Sequence, residues 1–246
     1  MEEIRLNKYI ASCTELSRRE ADRRIQEGEV SVNGSICETP AIRVTDDDTV
    51  RLGRKVLTRR NILVVAFHKP RGVVCSKSDD RDRQTIYHLL PHKYHHLKHV
   101  GRLDLDSEGL LILTNDGDLA QKLTHPSKKL EKEYQVTVDQ NYEPKVLLQL
   151  VKGVHIPEVG QARAKYCKRV SSRRLTIVLE SGLKRQIRLM LDTLGLRVTK
   201  LVRTRVGSLV LGELPVGATE ELRKEDIQHL LINPAPPKPK DEAPKS

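Results

Sequence analysis

The chain has 246 residues and a net charge of +11, and it contains no Trp, one Phe and six Tyr. This length allows one large domain or a large domain with a small companion, whose core must be built from Leu, Ile and Val. The four cysteines are scattered singly, the first residues lack an apolar signal core, and no stretch approaches the ~18 apolar residues of a membrane span, so we expect a cytoplasmic protein without disulfides.

The first fifty residues predict a small module of two helices followed by a small sheet. A capping box at Ser17 and Glu20 predicts a helix that ends at Gly28. The pair Asn33-Gly34 stands between two short apolar runs and is a strong signal for a β-hairpin turn. We expect residues 3–53 to form this domain.

The first module carries a cationic group that indicates phosphate binding. Helical spacing places Arg19 and Arg23 on one side, and we expect Arg18 and Lys8 nearby, which would suit two adjacent phosphates of RNA. The alternative is a solvated helix surface, because acidic residues alternate with these arginines. The sequences Arg-Leu-Asn-Lys-Tyr-Ile and Ser-Arg-Arg-Glu-Ala-Asp resemble the S4 RNA-binding domain, which implies that the module binds RNA.

A second domain is expected over residues 62–232, after a linker at 54–61 that is short, basic and without apolar periodicity. The apolar run Ile62–Phe67 predicts a strand, and the Pro and Gly that follow predict a turn. Val73–Cys75 should then form another strand.

Five histidines crowd between His88 and His99. His92, His96 and His99 could share one helix face, but no cysteine or acid completes a metal-ligand spacing. We therefore expect no metal, and we expect no cofactor because the chain lacks a nucleotide-binding glycine loop.

A cluster of acids lies directly before an apolar strand. Asp104, Asp106 and Glu108 precede the run Leu110–Leu113, and a carboxylate drawn toward a core edge needs a cationic or hydrogen-bonding partner. A calcium loop is one alternative, although Asn115 stands where a bidentate Glu is needed. A solvated acidic loop is another.

The remaining pattern predicts alternating helices and strands. The predicted helices cover residues 119–123, 143–151 and 184–194, and the predicted strands cover 134–138, 164–170, 174–180 and 198–206. This order indicates an α+β fold with a large, mainly antiparallel mixed sheet flanked by helices. The Pro- and Lys-rich tail, residues 233–246, is expected to be disordered.

Positive charge is concentrated late in the chain. Between Gly160 and Arg205 there are 13 Lys or Arg and two acids. Such a basic segment is typical of a phosphate-backbone binder. We expect Arg185, Arg203 and Arg205 to contact RNA.

The run Gly-Arg-Leu-Asp-Leu-Asp-Ser-Glu-Gly-Leu-Leu closely resembles the catalytic motif of the pseudouridine synthases that modify ribosomal RNA. The resemblance implies that Asp104 is the essential residue and that the second arginine of Arg-Gln-Ile-Arg, here Arg188, pairs with it. Helical spacing places Arg188 at the border of the buried side and Arg185 toward solvent or phosphate. Binding of RNA backbone is the other interpretation of Arg188.

Further motifs extend the resemblance to the substrate. Lys-x-Tyr-x-Val implies that Tyr134 stacks on the target base, with Lys132 and Ile187 also contacting substrate. Leu201 matches the apolar residue on the other side of the base, and Arg102 should help to hold a flipped nucleotide. Core packing would explain Tyr134 and Leu201 equally well.

These features predict an enzyme that isomerises a specific uridine to pseudouridine in ribosomal RNA, with large-subunit RNA favoured. Small-subunit or transfer RNA, a non-catalytic ribosome-assembly protein on the same fold, and a glycosidic enzyme with a carboxylate pair stay open. Whether Asp104 attacks the sugar or removes a proton also stays open. Expected partners are structured RNA or ribosome-assembly intermediates, and we expect a monomer that binds no membrane.

Overall fold

The computed structural model describes residues 3–234, which form two compact units. The first unit runs to Leu63 and includes Asn115–Gly117, and the second comprises Val64–Thr114 and the chain from Asp118 onward. None of the helices in the described part of the chain has the length and apolarity needed to cross a membrane.

The first unit consists of two packed helices and short strands. Its elements are β1 (Ile4–Arg5), α1 (Leu6–Cys13), α2 (Arg18–Gln26), β2 (Val30–Val32), β3 (Ser35–Ile36), β4 (Arg43–Val44), β5 (Val50–Leu52) and β6 (Lys55–Val56). The predicted capping box is confirmed: the Glu20 N–H donates to Ser17 Oγ at 3.2 Å, and the Ser17 N–H donates to the Glu20 carboxylate at 2.6 Å. Gly28 follows α2 with a φ of +72°.

The predicted hairpin is also present. Asn33 and Gly34 connect β2 to β3 with φ angles of 51° and 88°, the left-handed conformation that such turns require. The sheet has the order β3-β2-β5-β6. Its edge strand β6 lies inside residues 54–61, so the prediction that this whole segment is a linker is wrong, because the backbone of Lys55–Val56 pairs with β5.

The second unit is built on a nine-stranded sheet. Its elements are β7 (Val64–Lys69), α3 (Ile86–Leu89), β8 (Lys98–Val100), β9 (Glu108–Thr114), α4 (Gly117–Thr124, whose first residue belongs to the first unit), β10 (Lys132–Val138), α5 (Lys145–Lys152), β11 (Val154–Ile156), β12 (Gly160–Ala162), β13 (Tyr166–Arg169), β14 (Arg174–Leu179), α6 (Gln186–Thr193), β15 (Val198–Val206), β16 (Leu209–Val210), β17 (Thr219–Glu221) and α7 (Lys224–His229). The strand order is β13-β14-β10-β15-β9-β7-β17, with β16 on β15 and β8 on β9.

The predicted mixed, mainly antiparallel sheet is confirmed. Among the described strands, β15 and β9 form the one parallel pair, and the other pairings of this sheet are antiparallel. At this junction Gly109 lies opposite Arg203, and a Cβ on Gly109 would lie 2.4 Å from the Arg203 carbonyl oxygen. Only glycine allows the two backbones to approach so closely.

Two hydrophobic clusters stabilise the sheet. One packs α5 and α6 against alternate residues of β10, β14 and β15, and the other packs α4 against β7 and β9. In β10 the buried residues are Val136 and Val138, as the alternating pattern predicts for a strand with one face on the core.

Several local predictions are wrong. Val73–Cys75 forms no strand, since only a single bridge joins Val74 to Thr85. The histidines share no helix face, because His92 begins a short 3-10 helix and His99 lies in β8. Asn233 is also ordered: its side chain accepts from the Glu131 N–H at 2.9 Å, whereas residues 235–246 of the predicted tail lie outside the described residues.

Candidate active site

A cleft of about 500 Å³ opens in the second unit where β9, β10, β14 and β15 meet the loop before β9. Its lining includes eight of the residues singled out from the sequence: Arg102, Asp104, Lys132, Tyr134, Arg185, Ile187, Leu201 and Arg203. Asp104 is the one acidic residue among the described lining residues, and five Lys or Arg surround it: Arg102, Lys132, Lys184, Arg185 and Arg203. The cleft therefore suits an anionic ligand close to a single carboxylate.

The loop that carries Asp104 is held by its backbone. The side chain of Lys69 is fully buried, and its Nζ donates to the carbonyls of Pro70 at 2.9 Å, Asp104 at 3.2 Å and Ser107 at 2.9 Å. Burial lowers the pKa of Lys69, while nearby groups that include Asp104 oppose the change. The Gly72 N–H donates to the Leu105 carbonyl at 2.7 Å. These bonds use main-chain atoms and leave the Asp104 carboxylate available for chemistry.

Arg188, in the first turn of α6, lies beside this loop. Its Nε is 3.2 Å from Asp106 Oδ2, its Nη2 donates to the Asp106 carbonyl at 2.9 Å, and its Nη1 donates to the Val198 carbonyl at 3.2 Å. The predicted ion pair between Arg188 and Asp104 is therefore wrong for this structure, in which Asp106 is the direct partner. Asp104 acts on Arg188 at longer range: burial lowers the pKa of Arg188, and both carboxylates oppose that change.

One wall of the cleft combines an aromatic ring with a half-buried cation. Tyr134 and Lys132 are both half-buried on β10, and Tyr134 packs against the core cluster that contains Leu201. Burial lowers the pKa of Lys132, and the positive charge of Arg203 lowers it further. This wall can contact the face of a planar base and can also offset negative charge on it.

The sequence comparisons agree with this geometry. Residues 63–193 match the RNA pseudouridylate synthase family, and residues 4–50 match the S4 domain. The chain belongs to the RNA pseudouridylate synthase family. This confirms the resemblance inferred from the motifs and makes the protein an isomerase of the pseudouridine synthase class.

Relatives match this synthase over most of its length. The chain is 33% identical over 232 residues to the Bacillus subtilis (strain 168) protein named ribosomal large subunit pseudouridine synthase B, covering 92% of this chain and 95% of that protein. It is 36% identical over 231 residues to the Escherichia coli (strain K12) dual-specificity RNA pseudouridine synthase RluF, covering 93% and 78%. A crystal structure of a pseudouridylate synthase superposes with a TM-score of 0.67 at 28% identity, covering 92% of this chain and 99% of the other.

Two arginines of the synthase unit were predicted to contact RNA but are buried. Arg205 is 8% exposed, pairs with Glu131 at 3.1 Å and donates to the Gly207 carbonyl at 2.7 Å, so its predicted RNA contact is wrong. Arg203 is 6% exposed and its Nε donates to the Leu110 carbonyl at 2.8 Å, which ties β15 to β9. The small accessible part of Arg203 lies in the lining of the cleft, where it can contact a ligand.

Arg185 differs from these two in being accessible. It precedes α6 in the left-handed conformation, with a φ of 55°, and its side chain is 44% exposed while pairing with Asp106 at 3.3 Å. The predicted contrast between an outer Arg185 and an inner Arg188 is confirmed, since the Arg188 side chain is 11% exposed.

The cations predicted on the S4 unit lie on its two helices. Arg18, Arg19 and Arg23 are exposed on α2, and Lys8 is half-buried on α1. The helices are joined by a 2.7 Å hydrogen bond from Asn7 Nδ2 to Asp22 Oδ1. The four cations thus lie on helices that are fixed to each other.

The two other acids of the catalytic run lie outside the cleft lining. Asp106 binds Arg185 and Arg188, whereas Glu108 Oε1 lies 3.5 Å from both His68 Nε2 and Lys200 Nζ. In residues 3–234 no group of three His, Cys, Asp or Glu side chains is arranged to hold a metal ion.

The sequence analysis missed two residues that shape the synthase site. Lys69 does not stand out in the sequence pattern, and Asp106 stands there only as one member of an acidic cluster with Asp104 and Glu108. A lysine that ends an apolar strand and precedes Pro70 was the available signal for a buried, functional ammonium.

Proposed function

We propose that this protein isomerises a uridine of ribosomal RNA to pseudouridine and that Asp104 is the catalytic carboxylate. The single observation that carries this assignment is the cleft itself, in which Asp104 is the one acid among the described lining residues and lies with Tyr134 and five cations. A glycosidase that uses paired acid and base carboxylates needs a second carboxyl group in the site. Asp106 and Glu108 are instead engaged by cations outside this lining.

The reaction requires little beyond these groups. The bond from the ribose C1′ to uracil N1 breaks, the base turns, C1′ bonds to C5, the C5 proton is lost to solvent and N1 gains a proton. A uracil that departs with the bonding electrons carries negative charge, which half-buried Lys132 and buried Arg203 offset. Asp104 acts as a carboxylate by one of two routes. It attacks C1′ and is displaced when C1′ bonds to C5, or it removes the proton from C2′ and returns it when the C1′–C5 bond forms.

The remaining groups assist in defined ways. Tyr134 and Leu201 form apolar faces for the extruded base, with Ile187 beside them. Arg188 supplies a positive charge at longer range from Asp104 and helps to balance the charge in a site that substrate closes to water. Arg102 and Arg185 lie at accessible positions of the lining and contact phosphates of the flipped strand.

The S4 unit supplies further RNA contacts through Lys8, Arg18, Arg19 and Arg23. The partner is structured ribosomal RNA or an assembly intermediate of the ribosome, and the protein acts as a cytoplasmic monomer. The name of the Bacillus subtilis relative supports large-subunit RNA as the target. The name of the Escherichia coli relative, a dual-specificity RNA pseudouridine synthase, supports assaying a second RNA as well. Small-subunit and transfer RNA are the alternatives that the sequence left open.

Replacement of Asp104 by Asn tests the catalytic assignment. The assay measures tritium release from ribosomal RNA labelled at uridine C5, together with RNA affinity. We expect Asp104→Asn to abolish release while retaining binding. Glu108→Gln, which removes the same charge four residues further along, should stay active. Persisting turnover in Asp104→Asn would exclude the assigned role, and a wild-type protein that binds RNA without releasing tritium would be a non-catalytic assembly factor.

An isotope effect separates the two routes open to Asp104. Substrate RNA carrying deuterium at the ribose C2′ should show a primary isotope effect on the single-turnover rate if Asp104 removes that proton. A nucleophilic attack at C1′ leaves the C2′ bond intact, so the rate should change little. The comparison needs saturating enzyme, because product release would otherwise mask the chemical step.

The target nucleotide is found by comparing pseudouridines in total RNA from cells with and without the protein. We expect a large-subunit site to disappear on deletion and to return when the wild-type chain is restored, but not when Asp104→Asn is supplied. Loss confined to small-subunit or transfer RNA would reassign the substrate and leave the enzyme class unchanged.

A further inference from the structure

Asp106 holds two arginines at the edge of the catalytic cleft. Its carboxylate is 3.2 Å from Arg188 Nε and 3.3 Å from Arg185 Nη2, and its own carbonyl accepts from Arg188 Nη2 at 2.9 Å. A second cleft of about 360 Å³ borders the same three side chains. Of these three residues, Arg185 lines both clefts, whereas Asp106 and Arg188 line the second one.

The contacts of Arg188 show what Asp106 contributes. The remaining bonds of Arg188 are to the carbonyl of Val198 and, at 3.5 Å, to Ser107 Oγ, both uncharged acceptors. Asp106 is thus the one carboxylate in direct contact with this largely buried guanidinium among the described residues. Without it, a buried cation would lack an anionic partner and would move to find another.

The position of Asp106 in the chain makes this contact relevant to catalysis. Asp106 lies two residues after Asp104 in one loop, and that loop is bound to Lys69 through the carbonyls of Asp104 and Ser107. The ion pair between Asp106 and Arg188 therefore connects α6 to the catalytic loop itself. Because the loop is bound to Lys69 on both sides of Asp106, this contact sets the distance between the Arg188 charge and Asp104.

We propose that Asp106 is a positioning residue, which fixes the place and orientation of the Arg188 guanidinium relative to Asp104. The proposal rests on the proposed function, because it concerns the reactivity of Asp104. Arg185 shares the same carboxylate and is the more exposed partner, so it can exchange Asp106 for an RNA phosphate while Arg188 stays bound.

A double-mutant cycle tests the proposal. Full-length wild type, Asp106→Asn, Arg188→Gln and the double variant are compared by single-turnover tritium release at saturating enzyme and by RNA affinity. We expect Asp106→Asn to lower the rate constant by roughly tenfold to a hundredfold, the size of effect that misplacing a catalytic group produces. RNA affinity should change by less than about threefold, because Asp106 is itself an anion that contributes no phosphate contact.

The coupling energy between the Asp106 and Arg188 substitutions shows whether Asp106 acts through Arg188. In the Arg188→Gln background, Asp106→Asn should change the rate by less than about twofold, since residues that act through one contact are not additive. Asp106→Glu keeps the charge and should recover much of the rate. Glu108→Gln is the matched control, because its carboxylate contacts His68 and Lys200 instead, and it should keep the wild-type rate.

Several outcomes would overturn the proposal. An unchanged rate in Asp106→Asn would make Asp106 a spectator, and additive losses in the cycle would show that it acts without Arg188. A loss of RNA affinity with an unchanged rate would assign Asp106 to RNA binding through Arg185. Thermal melts identify a misfolded variant, in which case the rate of Asp106→Glu carries the test. Absence of tritium release from wild type would defeat the proposed function separately.

Discussion

Replacing Lys69 by Met should remove the hydrogen bonds that hold the loop carrying Asp104 in place. The Lys69 ammonium makes three hydrogen bonds to main-chain carbonyls, at 2.9, 3.2 and 2.9 Å, from a fully buried position. Bonds to a charged group contribute about 1.5–3 kcal/mol each. The lowered pKa of Lys69 shows that desolvation of the ammonium offsets part of their sum. Met fills a similar volume without donors and leaves the carbonyls unsatisfied, and we expect a net loss of about 3–5 kcal/mol.

Hydrogen exchange measures this loss at the loop. The Ser107 N–H donates to the Asp104 carbonyl at 3.0 Å, and the Gly72 N–H donates to the Leu105 carbonyl. Since about 1.4 kcal/mol corresponds to a factor of ten, exchange of these two amides should accelerate by about a thousandfold in Lys69→Met. Turnover should fall in the same variant. Unchanged protection would mean that desolvation offsets the three hydrogen bonds and would refute this reasoning.

The stability of the wild type should also depend on pH through Lys69. Burial lowers the folded-state pKa below the ordinary value of 10.5, so between the two values the unfolded chain binds more protons than the folded one. Stability must therefore rise with pH through that window, whose upper end is near 10.5, and be lowest where both states are protonated. In Lys69→Met, the free energy of unfolding should not show this rise with pH. Urea unfolding followed by circular dichroism measures it.

Two further substitutions test the packing around the site. Gly109→Ala should cost about 4 kcal/mol or more in thermal melts, because its Cβ would overlap the backbone of Arg203. Gly212→Ala, at a φ of +55° with no atom within 4 Å of the added Cβ, should cost only about 1–2 kcal/mol. Arg205→Met should destabilise the protein by about 3 kcal/mol by removing a partner of buried Glu131, while its RNA affinity, measured by filter binding, stays unchanged. A lower affinity in a fully folded Arg205→Met would restore the RNA contact expected from the sequence.

Local sequence was sufficient wherever short-range geometry decides the structure. The capping box at Ser17, the hairpin turn at Asn33-Gly34 and the strand Val198–Val206 were each predicted, because side-chain capping, left-handed turn residues and alternating apolar positions act within a few residues. A wrong prediction also concerns a short segment. Val73–Cys75 is apolar enough for a strand but finds only a single bridge, since strand formation needs a partner.

The motifs by themselves determined the family, the class of reaction and eight of the residues that line the cleft, because a catalytic motif specifies the residue types that the chemistry needs. Only the tertiary structure decided which charges meet. Arg188 pairs with Asp106 and not with Asp104, Arg205 is buried against Glu131, and Lys69 anchors the loop from a strand more than thirty residues away. Residue type and spacing describe a charge, but its partner, its burial and therefore its role depend on contacts between segments distant in the chain.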